Sequence, residues 1–175
     1  LLLIKNLLAQ LGKTPFFKKQ KPTPYDEAVS LIWYLENVLY HSVSTIYNFV
    51  QQQVYDGEVL DNEIIDLGFW PGGDRDGNPF VTTEITLKVA ERLRQTILKN
   101  YHRDIRKLRR RLTFKGIEDI LIRVEKRLNK HITKSYKVVN FSSKILLEEL
   151  NKARVILVEE HKSLFLEELD DLIHK

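Results

Sequence analysis

Residues 68–84, GFWPGGDRDGNPFVTTE, gather four Gly and two Pro from a chain that holds only seven and five of them. Both residues break helices, Gly through its backbone freedom and Pro through its missing N–H. With breakers concentrated there, the periodic segments on either side read as helices arranged around one loop. That loop is polar. Asp74, Arg75, Asp76 and Asn78 set two carboxylates, a guanidinium and an amide side by side, while Gly72, Gly73 and Gly77 permit sharp turns and close approach. Either it is a turn leading into a helix or it is the wall of a polar ligand site, and composition does not choose between them.

The first long segment opens at Lys21-Pro22-Thr23-Pro24-Tyr25-Asp26-Glu27. Thr23 can cap a helix, Pro24 suits the first helical position, and Asp26 completes a capping box. Asp26 and Glu27 also favour the positive end of the helix dipole. Leu31, Leu35, Val38, Leu39, Ile46, Phe49 and Val50 then recur at three- and four-residue steps, which predicts a helix to about Gln53, ended by Tyr55-Asp56-Gly57. Trp33, Tyr34 and Tyr40 on this helix read as core residues. Ahead of it, LLLIKNLLAQL reads as a helix and not as a signal peptide, because no cleavage-like end follows. Ile64 to Phe69 approaches the loop with no evident partner strand, so irregular structure is expected there.

Beyond the loop, Thr82 or Thr83 caps a second helix striped by Ile85, Val89, Leu93, Ile97, Tyr101, Ile105, Leu108 and Leu112. Its four-residue steps drift around the helix and leave room for a bend or break. Gly116 turns the chain, and Ile117, Ile120, Leu121, Val124, Leu128 and Ile132 mark a third helix. A last helix is expected from Asn140 or Ser142 nearly to the end, through Ile145, Leu150, Leu157 and Leu169. The fold class that follows is all-α: one helical segment over residues 1–175, its long helices packed around the Gly-rich loop Gly68–Thr83.

Charge is unevenly placed. Residues 85–137 carry 17 Lys and Arg against 5 Asp and Glu, whereas both flanking regions are acidic. A basic hairpin packed beside acidic neighbours explains this, as does a face reaching for an anionic partner. Arg103, Arg106, Lys107, Arg109, Arg110 and Arg111 could neutralise phosphates, but three consecutive Arg point in different directions around a helix. Intramolecular pairing or solvation is therefore favoured over nucleic acid. No apolar run has the roughly 18 residues of a membrane span. The absence of Cys fits a reducing compartment, and a cytoplasmic location is expected. The chain starts with Leu1 and contains no Met, so a piece of a longer protein is expected.

Other chemistries fare poorly. Asp74-x-Asp76-x-Asn78 imitates the start of a calcium loop, but its sixth position is Pro79 where Gly is needed, and its twelfth is Ile85 where Glu is needed. His41, His102, His131, His161 and His174 form no zinc signature and read as surface or helix-end residues. No metal ligand set is expected within this chain.

The run Gly72-Gly73-Asp74-Arg75-Asp76-Gly77-Asn78-Pro79, entered through Phe69-Trp70 and left through Val81-Thr82, resembles phosphoenolpyruvate carboxylase. The upstream Lys21-Pro22-Thr23-Pro24-Tyr25-Asp26-Glu27-Ala28 resembles that family's proline-rich helix start, and the likeness extends from about residue 20 to 110. The resemblance implies a magnesium-dependent lyase that joins bicarbonate to phosphoenolpyruvate, giving oxaloacetate and phosphate in the tricarboxylic acid cycle's anaplerotic supply. It also implies a parallel β-barrel embedded in helices, usually in a homo-tetramer.

Carried over residue by residue, Trp70 and Asp74 to Asn78 would line the mouth of the active site. Arg75 would meet an anionic substrate or intermediate, Asp74 and Asp76 would orient it, and Gly77 and Asn78 would shape the loop. Pro71 and Gly68 depart from the family's commoner residues beside the tryptophan. The family's histidine motif T-A-H-P-T is absent, as are its acidic metal ligands, and the enzymes are several times longer. The chain should therefore be a helical segment that holds no catalytic residue and is inactive alone, with the rest of the carboxylase as its partner. A helical interaction module, or more weakly a basic-helix nucleic-acid binder, is the alternative.

Overall fold

The computed structural model describes residues 2–14, 21–55, 65–134, 141–159 and 165–175. Among them there is no strand. The helices are α1 (Leu2–Lys13), α2 (Pro24–Tyr34), α3 (Tyr40–Val54), α4 (Thr83–Arg111), α5 (Ile117–Thr133), α6 (Ser143–Glu159) and α7 (Leu166–Ile173), with a π-helical turn over Leu35–Leu39 joining α2 to α3. The all-α expectation holds. Asp56, Gly57, Ile64, Asn140 and His161, which figured in the expected boundaries and histidine set, lie outside the described residues.

The core is a ring of four helices in which α4 packs on α5, α5 on α6, α6 on α7, and α7 back on α4. On α5 the buried positions are Ile117, Ile120, Leu121, Val124, Leu128 and His131, which recur at i, i+3, i+4 and i+7 from Ile117 so that one face is apolar. They meet Leu98, Ile105, Leu108 and Leu112 from α4, and Leu146, Leu150, Ala153 and Leu157 from α6. Each fully buried Leu or Ile of this set contributes about 1.5–3 kcal/mol of hydrophobic stabilisation. α4 runs unbroken despite its drifting stripe, and Gly116, at φ +87°, supplies the left-handed turn into α5. The carbonyl of Phe114 closes that turn by accepting from Ile117 and Glu118.

Two expectations are corrected. The single last helix is two, because Arg154 Nε lies 2.7 Å from Asp170 Oδ1. Sixteen residues along one helix would separate them by about 24 Å, so the chain folds back and α7 lies on α6. The core assignment of Trp33 and Tyr34 is also wrong: they are 56% and 55% exposed, and only Tyr40 is buried. They stack edge to face on each other, while the inner face of α2 is made by Ala28 and Ile32. The physical cause is that, among the described helices, α2 and α3 have only α4 and α7 to pack on, so one side of each is covered.

The π turn is the departure that the periodicity concealed. A π turn widens the helix and disturbs the regular backbone pairing. Here the buried side chain of Asn100, 1% exposed, reaches across from α4 and donates through Nδ2 to the carbonyl of Glu36 at 3.2 Å. Asn100 Oδ1 in turn accepts from Arg103. α1, by contrast, packs on no other described element and buries none of its residues.

Candidate functional site

The polar loop is built onto the start of α4. Thr82 is the helix cap, its hydroxyl accepting from Ile85 N at 3.3 Å. One turn later, Thr86 Oγ1 donates to the carbonyl of Gly72 at 2.7 Å. Gly72 and Pro71 are buried against the helix. A Cβ on Gly72 would stand 2.7 Å from Val89 Cγ2, and its φ of +76° is in the left-handed region, so both space and backbone require glycine there. Gly77 has nearly the same φ, +75°, but open surroundings.

The rest of the loop is held by its own groups. The carbonyl of Trp70 accepts from Gly73 and Asp74 at 2.9 and 3.0 Å. Asp74 Oδ1 accepts from Asp76 N at 3.2 Å, and Asn78 Oδ1 accepts from Phe80 N at 3.1 Å. Both are short-range side-chain caps of the kind that Asp and Asn make in turns. Asn78 N donates to the carbonyl of Arg75, and Val81 N to that of Asn78.

Arg75 differs from the reading in which two carboxylates pin it. Its Nη2 donates to the hydroxyl of Thr83 at 2.8 Å, and no ion pair joins it to Asp74 or Asp76. Asp74 is turned to the backbone instead. Trp70, at 71% exposed, stands out from the loop with Asp74, Arg75, Asp76 and Asn78, all of them exposed. The structure thus brings the sequence-selected residues together on one tied-down loop and points their chemistry outward.

The two distinctive sequence segments also meet. A cavity of about 390 Å³ lies between the start of α2, through Lys21, Pro22, Thr23, Pro24 and Glu27, and the loop and α4, through Asn78, Phe80 and Ile85. The capping box at this edge is complete. Asp26 N donates to Thr23 Oγ1 at 3.2 Å, and Thr23 N donates to Asp26 Oδ2 at 3.1 Å. Lys88 on α4 sits 4.1 Å over the ring of Tyr25, a further tie between the segments.

Sequence reasoning missed a buried polar cluster behind the π turn. Tyr40 Oη donates to Asp104 Oδ2 at 2.9 Å, and Lys175 Nζ, its side chain 8% exposed, lies 3.3 Å from the same oxygen and 2.8 Å from Asp171. Burial pushes the Tyr40 hydroxyl far above its ordinary range, and the Asp104 charge adds to this. Burial alone would raise Asp104, but the Tyr40 hydrogen bond, Lys175 and Lys107 together hold it below its ordinary 3.8. The one available signal was Asp104 itself, a lone carboxylate inside a run of cations. Beside this cluster a cavity of about 350 Å³ is lined by Leu35, Leu39, Tyr40, Phe69, Ile97 and Asn100, among others.

Part of the basic segment is paired within the chain. Glu125 lies 2.9 Å from Arg109, 3.6 Å from Arg106 and 3.8 Å from His102. Arg111 pairs with Glu168, and Arg123 with Glu149 at 3.3 Å. His131 is a helix-end residue as expected, but it is buried rather than on the surface, edge-on to Phe141. Among the described residues no helix is long and apolar enough to cross a membrane.

Comparison with known proteins gives a consistent result. The family model for phosphoenolpyruvate carboxylase matches residues 2–165. A phosphoenolpyruvate carboxylase of Shewanella halifaxensis (strain HAW-EB4) is 34% identical over 123 residues, covering 68% of this chain and 14% of that protein. One of Rhodothermus marinus is 33% identical over 116 residues, covering 65% of this chain and 12% of that protein. One of Vibrio vulnificus (strain YJ016) is 34% identical over 109 residues, covering 60% and 12%. The chain therefore spans a small part of the length of the relatives it matches. No solved structure matches it.

Proposed function

Because the chain belongs to the phosphoenolpyruvate carboxylase family, we propose that it is one helical segment of a longer cytoplasmic lyase. That enzyme joins bicarbonate to phosphoenolpyruvate and releases oxaloacetate and phosphate. The remainder of the carboxylase polypeptide is its first partner, and the assembled enzyme is a homo-tetramer. The observation that carries this reading is the way the loop is mounted: glycine and threonine lock it onto α4 while its guanidinium, carboxylates, amide and indole face outward. A site wall has this form when the opposite wall belongs to another part of the protein.

In this reading Arg75 offers its planar, permanently charged fork to an anionic substrate or intermediate, with Thr83 setting its direction. Trp70 covers the mouth of the site, and Gly72, Gly73 and Gly77 keep the backbone low enough for close approach. Magnesium, which the family implies, does not fit the residues here. Asp74 Oδ1 is engaged by Asp76 N, and the described residues contain no cluster of three acidic or histidine side chains that could hold a metal. Its ligands are assigned to the rest of the polypeptide.

The test is Arg75→Ala in a full-length carboxylase that carries this segment. Removing one preorganised charged donor from such a site lowers turnover by about 10²–10³-fold. A near-normal rate refutes the active-site role and favours the other reading, a helical interaction module whose loop serves only the fold.

A further inference from the structure

We propose that Thr86 is a positioning residue for the carboxylation step, a role that rests on the reading of Arg75 as the group that meets the anion. A threonine inside a helix commonly turns its hydroxyl back to the carbonyl four residues before it. Here that carbonyl, on Thr82, already accepts from Thr86 N at 3.0 Å. Thr86 Oγ1 lies 3.2 Å from it but only 2.7 Å from the carbonyl of Gly72. A hydroxyl has one proton to donate, so the shorter contact takes it and ties α4 to the loop.

Gly72 is thereby fixed from two sides. Its carbonyl is held by Thr86, and its α-carbon abuts Val89, since a Cβ there would come within 2.7 Å of Val89 Cγ2. Three residues on, Arg75 Nη2 donates to Thr83 Oγ1 at 2.8 Å. Thr83 and Thr86 are three apart and share a face of α4, so one helix turn carries both the base of the loop and its guanidinium. The two ties are unequal. Water competes at the exposed Thr83 contact, whereas the Thr86 contact is partly buried. Thr83 turns the planar fork; Thr86 sets the place from which the fork starts. Without the Thr86 bond the base of the loop can lift from the helix and carry the guanidinium with it.

Thr86→Val and Thr86→Ala remove the donor, and Thr86→Ser keeps it. In a full-length carboxylase that carries this segment, the first two should lower kcat and kcat/KM together by about tenfold to a hundredfold, the scale on which a misplacement of about 1 Å is felt. Thr86→Ser should restore most of that rate. A double-mutant cycle separates aiming from mere support. Placed on Arg75→Ala, Thr86→Val should lower the rate no further, because no guanidinium is left to aim. An equal loss with and without Arg75 marks a purely structural bond and overturns the proposal. So does an unchanged rate in Thr86→Val while Arg75→Ala is impaired, and the reading of Arg75 survives both results. A near-normal Arg75→Ala enzyme removes that reading and the role of Thr86 with it. Failure of both Thr86→Val and Thr86→Ala to fold also overturns the proposal, since the hydroxyl would then hold the fold and not aim the side chain.

Discussion

At the scale of single residues, Gly72 and Gly77 make an internal control. Both sit near φ +75°, but only Gly72 has a neighbour where a Cβ would go. Gly77→Ala should therefore cost only the backbone term, about 1–2 kcal/mol. Gly72→Ala adds the overlap with Val89 Cγ2, and overpacking of this kind typically costs about 1–3 kcal/mol more. Urea unfolding at constant m-value reads the difference. Equal midpoints for the two variants would mean that α4 yields freely beneath the loop. The sequence announced these glycines as turn formers, but it could not rank them, because the ranking depends on Val89, seventeen positions away. The same applies to Arg75. Its flanking carboxylates are adjacent in sequence, yet Asp74 is drawn to a backbone N–H two residues on, and Thr83 takes the guanidinium.

At the scale of elements, the helix starts were readable because capping is local. Thr23 with Asp26, and Thr82 ahead of Ile85, act where the sequence places them. The π turn was not readable, since the partner of Glu36's carbonyl is Asn100 on another helix. Asn100→Leu keeps a similar volume but takes the donor from that partly buried carbonyl, and leaving an acceptor unsatisfied costs up to about 1–3 kcal/mol. The loss should appear in urea unfolding, and an unchanged midpoint would show that the turn satisfies itself. The Tyr40–Asp104 tie between α3 and α4 carries a pH signature. Asp104 is held below 3.8, so its contribution is present above that value and is lost as the pH falls through the lower folded one. Tyr40 is raised above 10.0, so its contribution is present below 10.0 and is lost as the pH rises beyond it. Tyr40→Phe should thus remove part of the alkaline fall in stability. It should also make the acid fall smaller, because Asp104 loses a hydrogen bond that lowers it and its folded value moves back toward 3.8. A variant whose stability profile parallels the wild type at both ends would show that the tie does not form.

At the scale of the whole molecule, the alternation of apolar stripes and the scarcity of breakers made the all-α class legible, and the loop motif made the family legible. The closing of four helices into a ring was not legible, because periodicity tells which side of a helix is buried but not which helix covers it. Trp33 and Tyr34 were misplaced for that reason: an aromatic on a stripe reads as core whether or not its cover is present. The same incompleteness bears on activity. Electrostatic catalysis needs donors fixed in a site from which water is excluded, and here Trp70, Arg75 and their neighbours face solvent. The chain alone, given phosphoenolpyruvate, bicarbonate and magnesium, should therefore release no phosphate above the uncatalysed background. The measurement is phosphate release together with oxaloacetate formation read through a coupled reductase, because hydrolysis alone would yield the first without the second. Oxaloacetate formed in proportion to the amount of this chain would mean that the loop and the 390 Å³ cavity beside it suffice for carboxylation, and the assignment of the catalytic groups to the rest of the polypeptide would have to be withdrawn.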